Sequence, residues 1–125
     1  MSCHRETKLV TIVDDDDSVR GTLQELLRSA GFASRAFESA EDFLASGQQQ
    51  ETACLITDIR MPGMSGLELQ AKLNTERCKI PTIFITAHGD EEMRLQALRA
   101  GAVEFLPKPF DDEVLIESVR AALER

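Results

Sequence analysis

Basic residues are scarce in this 125-residue chain: 14 Lys and Arg stand against 22 Asp and Glu, a formal net charge of −8. Non-specific nucleic-acid binding rests on clustered cations, so direct nucleic-acid binding by this domain is not expected. Long hydrophobic runs are missing too. No apolar stretch approaches the ~18 residues of a membrane span, and the N-terminal MSCHRETK is polar, without the apolar core of a signal peptide. Cys3, Cys54 and Cys78 share no CxxC or zinc spacing, and an odd, scattered set reads as reduced thiols in a cytoplasmic protein. Cys54 sits in an apolar run and is expected in the core. His88 has no second His or Cys at ligand spacing and reads as a loop residue, while His4 falls in a frayed terminus. There is no repeat or low-complexity tract, and the one linker-like piece, SGQQQETA, is too short to separate domains. With 42% hydrophobic and 29% charged residues, the chain has the balance of a folded protein. A single domain over 1–125 is expected, with an ordered core over about 8–123.

What is present is an alternation. KLVTIV (8–13), FASRAF (32–37), ACLITD (53–58), IPTIFIT (80–86) and AVEFLPKPF (102–110) read as strands, the last broken by Pro107 and Pro109. Between them lie helical patterns. SVRGTLQELLRSAG has Val19, Leu23, Leu26 and Leu27 on one face and Gly31 as its C-terminal cap. SAEDFLAS has Ser39 as N-cap and Asp42 at the capping-box position. LELQAKLNTE follows the loop MPGMSG, which Met61 and Met64 help to shape. DEEMRLQALRAG has Asp90 as N-cap and Gly101 after its end. DDEVLIESVRAALER puts Val114, Leu115, Val119 and Leu123 on its inner side. Five apolar strands alternating with five helices predict an α/β, doubly wound parallel sheet covered on both faces.

Ligands of such sheets bind beyond the carboxyl ends of the strands. There the sequence places Asp14, Asp15, Asp16 and Asp17 after the first strand and Asp58 at the end of the third. Thr86, with His88 just beyond, ends the fourth, and Lys108 follows the fifth. The run of four aspartates in LVTIVDDDDSVRGTL needs something that offsets its self-repulsion: a helix N-terminus, a metal ion or solvent. Asp14 and Asp15 read as metal-facing acids, while Asp16 and Asp17 serve the next helix, with Asp17 the expected N-cap. Hard oxygen ligands suit Mg2+, with Mn2+ as an alternative, and a carboxylate can act as nucleophile towards phosphorus. Phosphoryl transfer then needs positioning and positive charge, which Mg2+ and Lys108 supply, with Thr86 donating to a phosphoryl oxygen. Lys108–Pro109 is a candidate cis peptide that holds the lysine inward. The plainer alternatives are a solvated acidic loop, a surface lysine, and Phe105 as half-buried strand packing.

These segments resemble the bacterial two-component response-regulator receiver domains over about Lys8 to Leu123. IVDDDDSVRGTL resembles the family's acidic-pair segment, LITDIRMPGMSGLEL its phospho-acceptor segment, and IFITAHGD and EFLPKPF its threonine and lysine segments. AFESAEDFLA and TAHGD are similar to the FixJ type, whose receiver usually controls a DNA-binding domain. The resemblance implies a flavodoxin-like strand order 2-1-3-4-5. It implies phosphorylation of Asp58 by a histidine kinase, with Mg2+ held by Asp14, Asp15, Asp58 and the backbone carbonyl of Arg60. Thr86 and Lys108 would bind the phosphoryl group, and Phe105 would be the aromatic switch that follows Thr86. The implied output is transcriptional, through an attached or partner domain. Phosphorylation would favour a homodimer through the fourth helix and fifth strand. No catalysis is implied beyond self-phosphorylation and self-dephosphorylation, and no membrane contact. The chain ends at Arg125 without the DNA-binding helices typical of the FixJ type, so a free-standing receiver and a piece of a longer protein both stay open.

Two other functions share parts of this pattern. A phosphohydrolase of the haloacid-dehalogenase kind also uses an aspartyl phosphate, but carries DxD on one strand, whereas Arg60 stands two residues after Asp58. A scaffold that keeps only the fold would not need the full acid, hydroxyl and lysine set.

Overall fold

Strand β1 (Leu9–Val13) is flanked in the sheet by β2 (Ala33–Phe37) and β3 (Thr52–Thr57), and β4 (Thr82–Thr86) and β5 (Glu104–Pro107) continue beyond β3. All pairings are parallel and the order is β2-β1-β3-β4-β5, as the resemblance implies. This is a computed structural model, and it describes residues 9–77, 80–87 and 91–124. The expectations for Cys3, His4, Cys78, His88 and Asp90 lie outside the described residues.

The strands obey period two. Val10, Ile12, Cys54, Ile56, Ile83 and Ile85 face one side, where they pack with Leu23 and Leu27 of α1 (Asp17–Ser29) and Leu115, Val119 and Ala122 of α5 (Asp112–Leu123). Val13 and Leu55 face the other side, against Ala40 and Phe43 of α2 (Ala40–Ser46) and Leu69 and Leu73 of α3 (Gly66–Thr75). Phe84 packs there with Ile59 and with Ala97 of α4 (Glu91–Arg99). Burying a side chain of this size contributes about 1.5–3 kcal/mol, so both layers are needed to hold the sheet. Cys54 lies in the core, as its apolar surroundings in the sequence suggested, and burial pushes its thiol up to about 12. Two polar groups are buried in the sheet without cost: the Thr11 and Thr52 hydroxyls lie 2.7 Å apart, and Thr52 donates onward to the Gln48 carbonyl at 2.8 Å.

Three expectations change in detail. The N-cap of α1 is Asp16, not Asp17. Asp16 is in extended conformation and its Oδ1 accepts from the Ser18 and Val19 amides at 2.8 and 3.3 Å, so the helix starts one residue earlier than expected. Asp17, exposed in the first turn, pairs with Arg20 instead. On α5, Val114 is 41% exposed and Ala122 takes the inner position. The stripe is rotated because Leu115, Val119 and Ala122 share the i, i+4, i+7 face that meets the sheet. Pro107 ends β5 rather than breaking it. It pairs opposite Thr86 on an edge strand, where its missing amide donor costs little.

Asp16→Ala is expected to lower the unfolding free energy by about 1 kcal/mol, and Asp17→Ala by no more than about 0.5 kcal/mol. Urea denaturation measures both, and the reverse ranking would restore Asp17 as the cap.

Candidate functional site

The carboxyl ends of β1, β3, β4 and β5 meet at one edge, and backbone hydrogen bonds aim the side chains there. Asp14 follows β1 directly: its amide donates to the Phe37 carbonyl at 3.1 Å, and its Oδ1 accepts from the Asp16 amide at 2.9 Å. This local turn folds the carboxylate back over the strand end. Asp58 follows β3 in the same way. Its amide donates to the Val13 carbonyl at 3.1 Å, and its Oδ1 accepts from the Ile59 and Arg60 amides at 2.6 and 3.3 Å. Both acids are buried, at 2% and 8% exposure. Lys108 donates its amide to the Thr86 carbonyl at 2.9 Å, and the Lys108–Pro109 peptide is cis. The Lys108 ammonium reaches across two strands to Asp14 Oδ2 at 3.0 Å and Asp58 Oδ2 at 2.9 Å.

Asp14, Asp15, Asp58 and Lys108 are thus brought together as expected, and Thr86 ends the neighbouring strand with its side chain buried. Arg60 is exposed beside them. Phe105 lies on β5 and is half-buried, with its ring 6.4 Å from that of Phe84. Its strand-packing reading therefore holds. Two contributors were not legible in the sequence. Arg20 Nη1 donates to the Asp14 carbonyl at 2.7 Å, a contact set by how α1 docks. Gly66 lies close against the backbone that follows β3, and a Cβ there would collide with the Asp58 carbonyl oxygen. Only its place in the Gly-containing loop hinted at such a close approach.

Burial raises the Asp14 carboxyl above its ordinary value, and the Asp58 charge adds to this, while the Asp16 amide and Lys108 pull it back. Burial also works against the Lys108 ammonium, but the hydrogen bonds and charges of Asp58 and Asp14 outweigh it and hold the amine above its ordinary value. Three carboxylates therefore face one resident cation. Carboxylate oxygens of Asp14, Asp15 and Asp58 lie within 4.8 Å of one another. Ligands at ~2.1 Å from one ion sit at most about 4.2 Å apart, so a small closure suits this all-oxygen set to Mg2+.

A profile of the response regulator receiver domain matches residues 10–120. The chain belongs to that family. The receiver is similar to the transcriptional regulatory protein FixJ of Azorhizobium caulinodans, 45% identical over 120 residues that cover 96% of this chain and 57% of the relative. It is also similar to nodulation protein W of Bradyrhizobium diazoefficiens, 47% identical over 117 residues covering 94% and 52%. Among solved structures, the crystal structure of FixJ-N matches with a TM-score of 0.86 at 45% identity over 96% of each chain. The response regulator StyR matches with a TM-score of 0.88 at 48% identity, over 94% of the receiver and 60% of that chain. The receiver spans about half the length of the curated relatives it matches. Among the described residues no helix is long and apolar enough to cross a membrane.

Lys108→Ala leaves two buried carboxylates facing each other without their cation and is expected to cost about 1–3 kcal/mol in metal-free buffer. The pH dependence has a definite sign. A raised Asp14 means that the folded form binds a proton more readily than the unfolded chain above the ordinary value of 3.8, so this group's contribution to stability falls as pH rises through that window. Removing Lys108 takes away a group that lowers the Asp14 value and extends the window upward. The loss of melting temperature in the variant is therefore expected to be larger near neutrality than in mildly acidic buffer, as thermal scans at both pH values would show.

Proposed function

We propose that this receiver takes a phosphoryl group from a histidine kinase onto Asp58 and changes conformation in response. The supporting observation is the Lys108 ammonium held 2.9 Å from Asp58 Oδ2 and 3.0 Å from Asp14 Oδ2 at the strand ends. Asp58 Oδ1 is taken up by two backbone amides, which leaves Oδ2 as the attacking oxygen. As the Asp58 O–P bond forms, the P–N bond to the phosphohistidine breaks, and its electron pair leaves on the imidazole nitrogen. Lys108 stays beside the new acyl phosphate and neutralises phosphoryl oxygens, and the Thr86 hydroxyl donates to one of them. Asp14, Asp15, Asp58 and the Arg60 backbone carbonyl would hold Mg2+, which screens the negative charge of the phosphoryl group when bound.

The switch is a two-state equilibrium that the phosphoryl group biases by its demand for donors. Thr86 is drawn towards it, and Phe105, half-buried on the adjacent strand, follows. The whole chain from 1 to 125 acts as one receiver in the cytoplasm. Its output is transcriptional, through an attached or partner domain, and self-association on the α4–β5 face follows phosphorylation. The similarity to the transcriptional regulatory protein FixJ supports a regulatory output.

Acetyl phosphate with Mg2+ is expected to label the protein slowly to one phosphate per chain, and Asp58→Asn to abolish labelling without loss of fold. Phosphate-affinity electrophoresis reads both. Rapid multiple turnover would mean a phosphohydrolase, and a normal phospho-band in the Asn variant would move the acceptor elsewhere. Mg2+ alone is expected to stabilise the fold by roughly 1–3 kcal/mol at tens to hundreds of times its Kd. Asp15→Ala is expected to remove that gain in thermal scans, and an equal gain in the variant would point to general screening.

A further inference from the structure

The loop between β3 and α3 carries Asp58 at one end, and its far end is tied to a different helix. The Met64 amide donates to Glu41 Oε2 in the first turn of α2 at 2.8 Å. Gly63, at a φ of 80° in the left-handed region, makes room for that carboxylate, and a Cβ there would collide with Glu41 Oε2. Beneath the contact, Met61 is buried and Met64 partly buried against Ala40 and Phe43 of α2. The end of the loop is also fixed by a capping box, in which Ser65 Oγ accepts from the Glu68 amide at 3.1 Å and Glu68 Oε1 accepts from the Ser65 amide at 2.9 Å.

The contacts form a closed circuit. The Asp14 amide is bonded to Phe37 of β2, four residues before Glu41. Glu41 holds Met64, and the same loop begins at Asp58, whose amide is bonded to Val13 next to Asp14. A side chain from α2 thus ties the far end of the Asp58 loop to the helix that follows β2, the strand bonded to the Asp14 amide. From this we infer that Glu41 is a positioning residue: through the Met64 amide it holds the loop so that Asp58 and the Arg60 carbonyl are set to share a divalent cation with Asp14 and Asp15. This rests on the metal-dependent reading above. The role is carried by the acceptor oxygen, not by the charge, because Glu41 is exposed and water screens it.

The test is titration with Mg2+ alone. The chain has no Trp or Tyr, so binding is followed by amide NMR. Glu41→Ala is expected to raise the Mg2+ Kd roughly 3- to 10-fold, below the 10–100-fold typical of groups bonded directly to a ligand side chain. Hydrogen exchange at the Met64 amide is expected to speed up in the same variant. Glu41→Gln keeps an oxygen for the Met64 amide and is expected to bind Mg2+ within about twofold of wild type. Equal affinity in wild type and Glu41→Ala overturns the inference. So does equal weakening by Ala and Gln, which would make the effect one of charge. A wild-type protein that fails to bind Mg2+ at all overturns the metal-dependent reading itself, and the inference with it.

Discussion

Everything at the carboxyl edge of the sheet depends on one ammonium group between two buried carboxylates. Lys108 stands 94 residues from Asp14 and 50 from Asp58, yet bonds both. A parallel sheet makes this possible because all its strands end on the same side. The two acids come from adjacent central strands, and the lysine reaches in from the edge strand beyond β4. Buried like charges at this separation would drive a carboxylate to take up a proton or force the strand ends apart. The lysine offsets this repulsion, while burial, more than the Asp58 charge, keeps Asp14 raised, and a third acid remains nearby. The edge is therefore assembled with more carboxylates than cations, a balance that favours a cation there.

The four consecutive aspartates are tolerable because each meets a different environment. Asp14 takes Lys108 and the Asp16 amide, and Asp15 is the exposed member of the acid cluster. Asp16 caps α1, and Asp17 pairs with Arg20, which also donates to the Asp14 carbonyl. Repulsion along the chain is dispersed among a lysine, a helix N-terminus, an arginine and solvent. Run length alone says little about such a segment, since one turn of backbone sends neighbouring carboxylates in different directions.

The helices are held unequally. α1 and α5 bury several large aliphatic residues, whereas among the described residues of α4 only Ala97 is buried. The C-terminal end of α4 is held instead by amide side chains of α3: Gln70 donates to the Ala97 carbonyl at 3.4 Å and Asn74 to the Ala100 carbonyl at 3.0 Å. An element with little buried apolar surface is among the least costly to shift. It lies beside Phe84 and Phe105, on the strands that end at Thr86 and lead to Lys108. A thinly buried helix is thus next to the strands that end at Thr86 and lead to Lys108.

The alternation of strands and helices, the burial of Cys54 and the placing of Asp14, Asp58, Thr86 and Lys108 at strand ends were legible in the sequence. They follow from period-two and period-3.6 patterning and from residues next to one another in the chain. The capping role of Asp16 over Asp17 was not, because both are good caps and a one-residue difference in where the chain turns decides between them. Nor was the outward face of Val114, since the angle at which α5 meets the sheet is set by packing. The Gly66 approach to Asp58, the Arg20 bond to Asp14 and the Glu41 bond to Met64 all join segments on different elements. The sequence by itself determined the elements and the chemical groups at their ends, because those depend on local periodicity. Only the tertiary structure decided which of those groups touch, because hydrogen bonds and ion pairs require separations near 3 Å, as at Lys108, that close packing of distant segments alone can set.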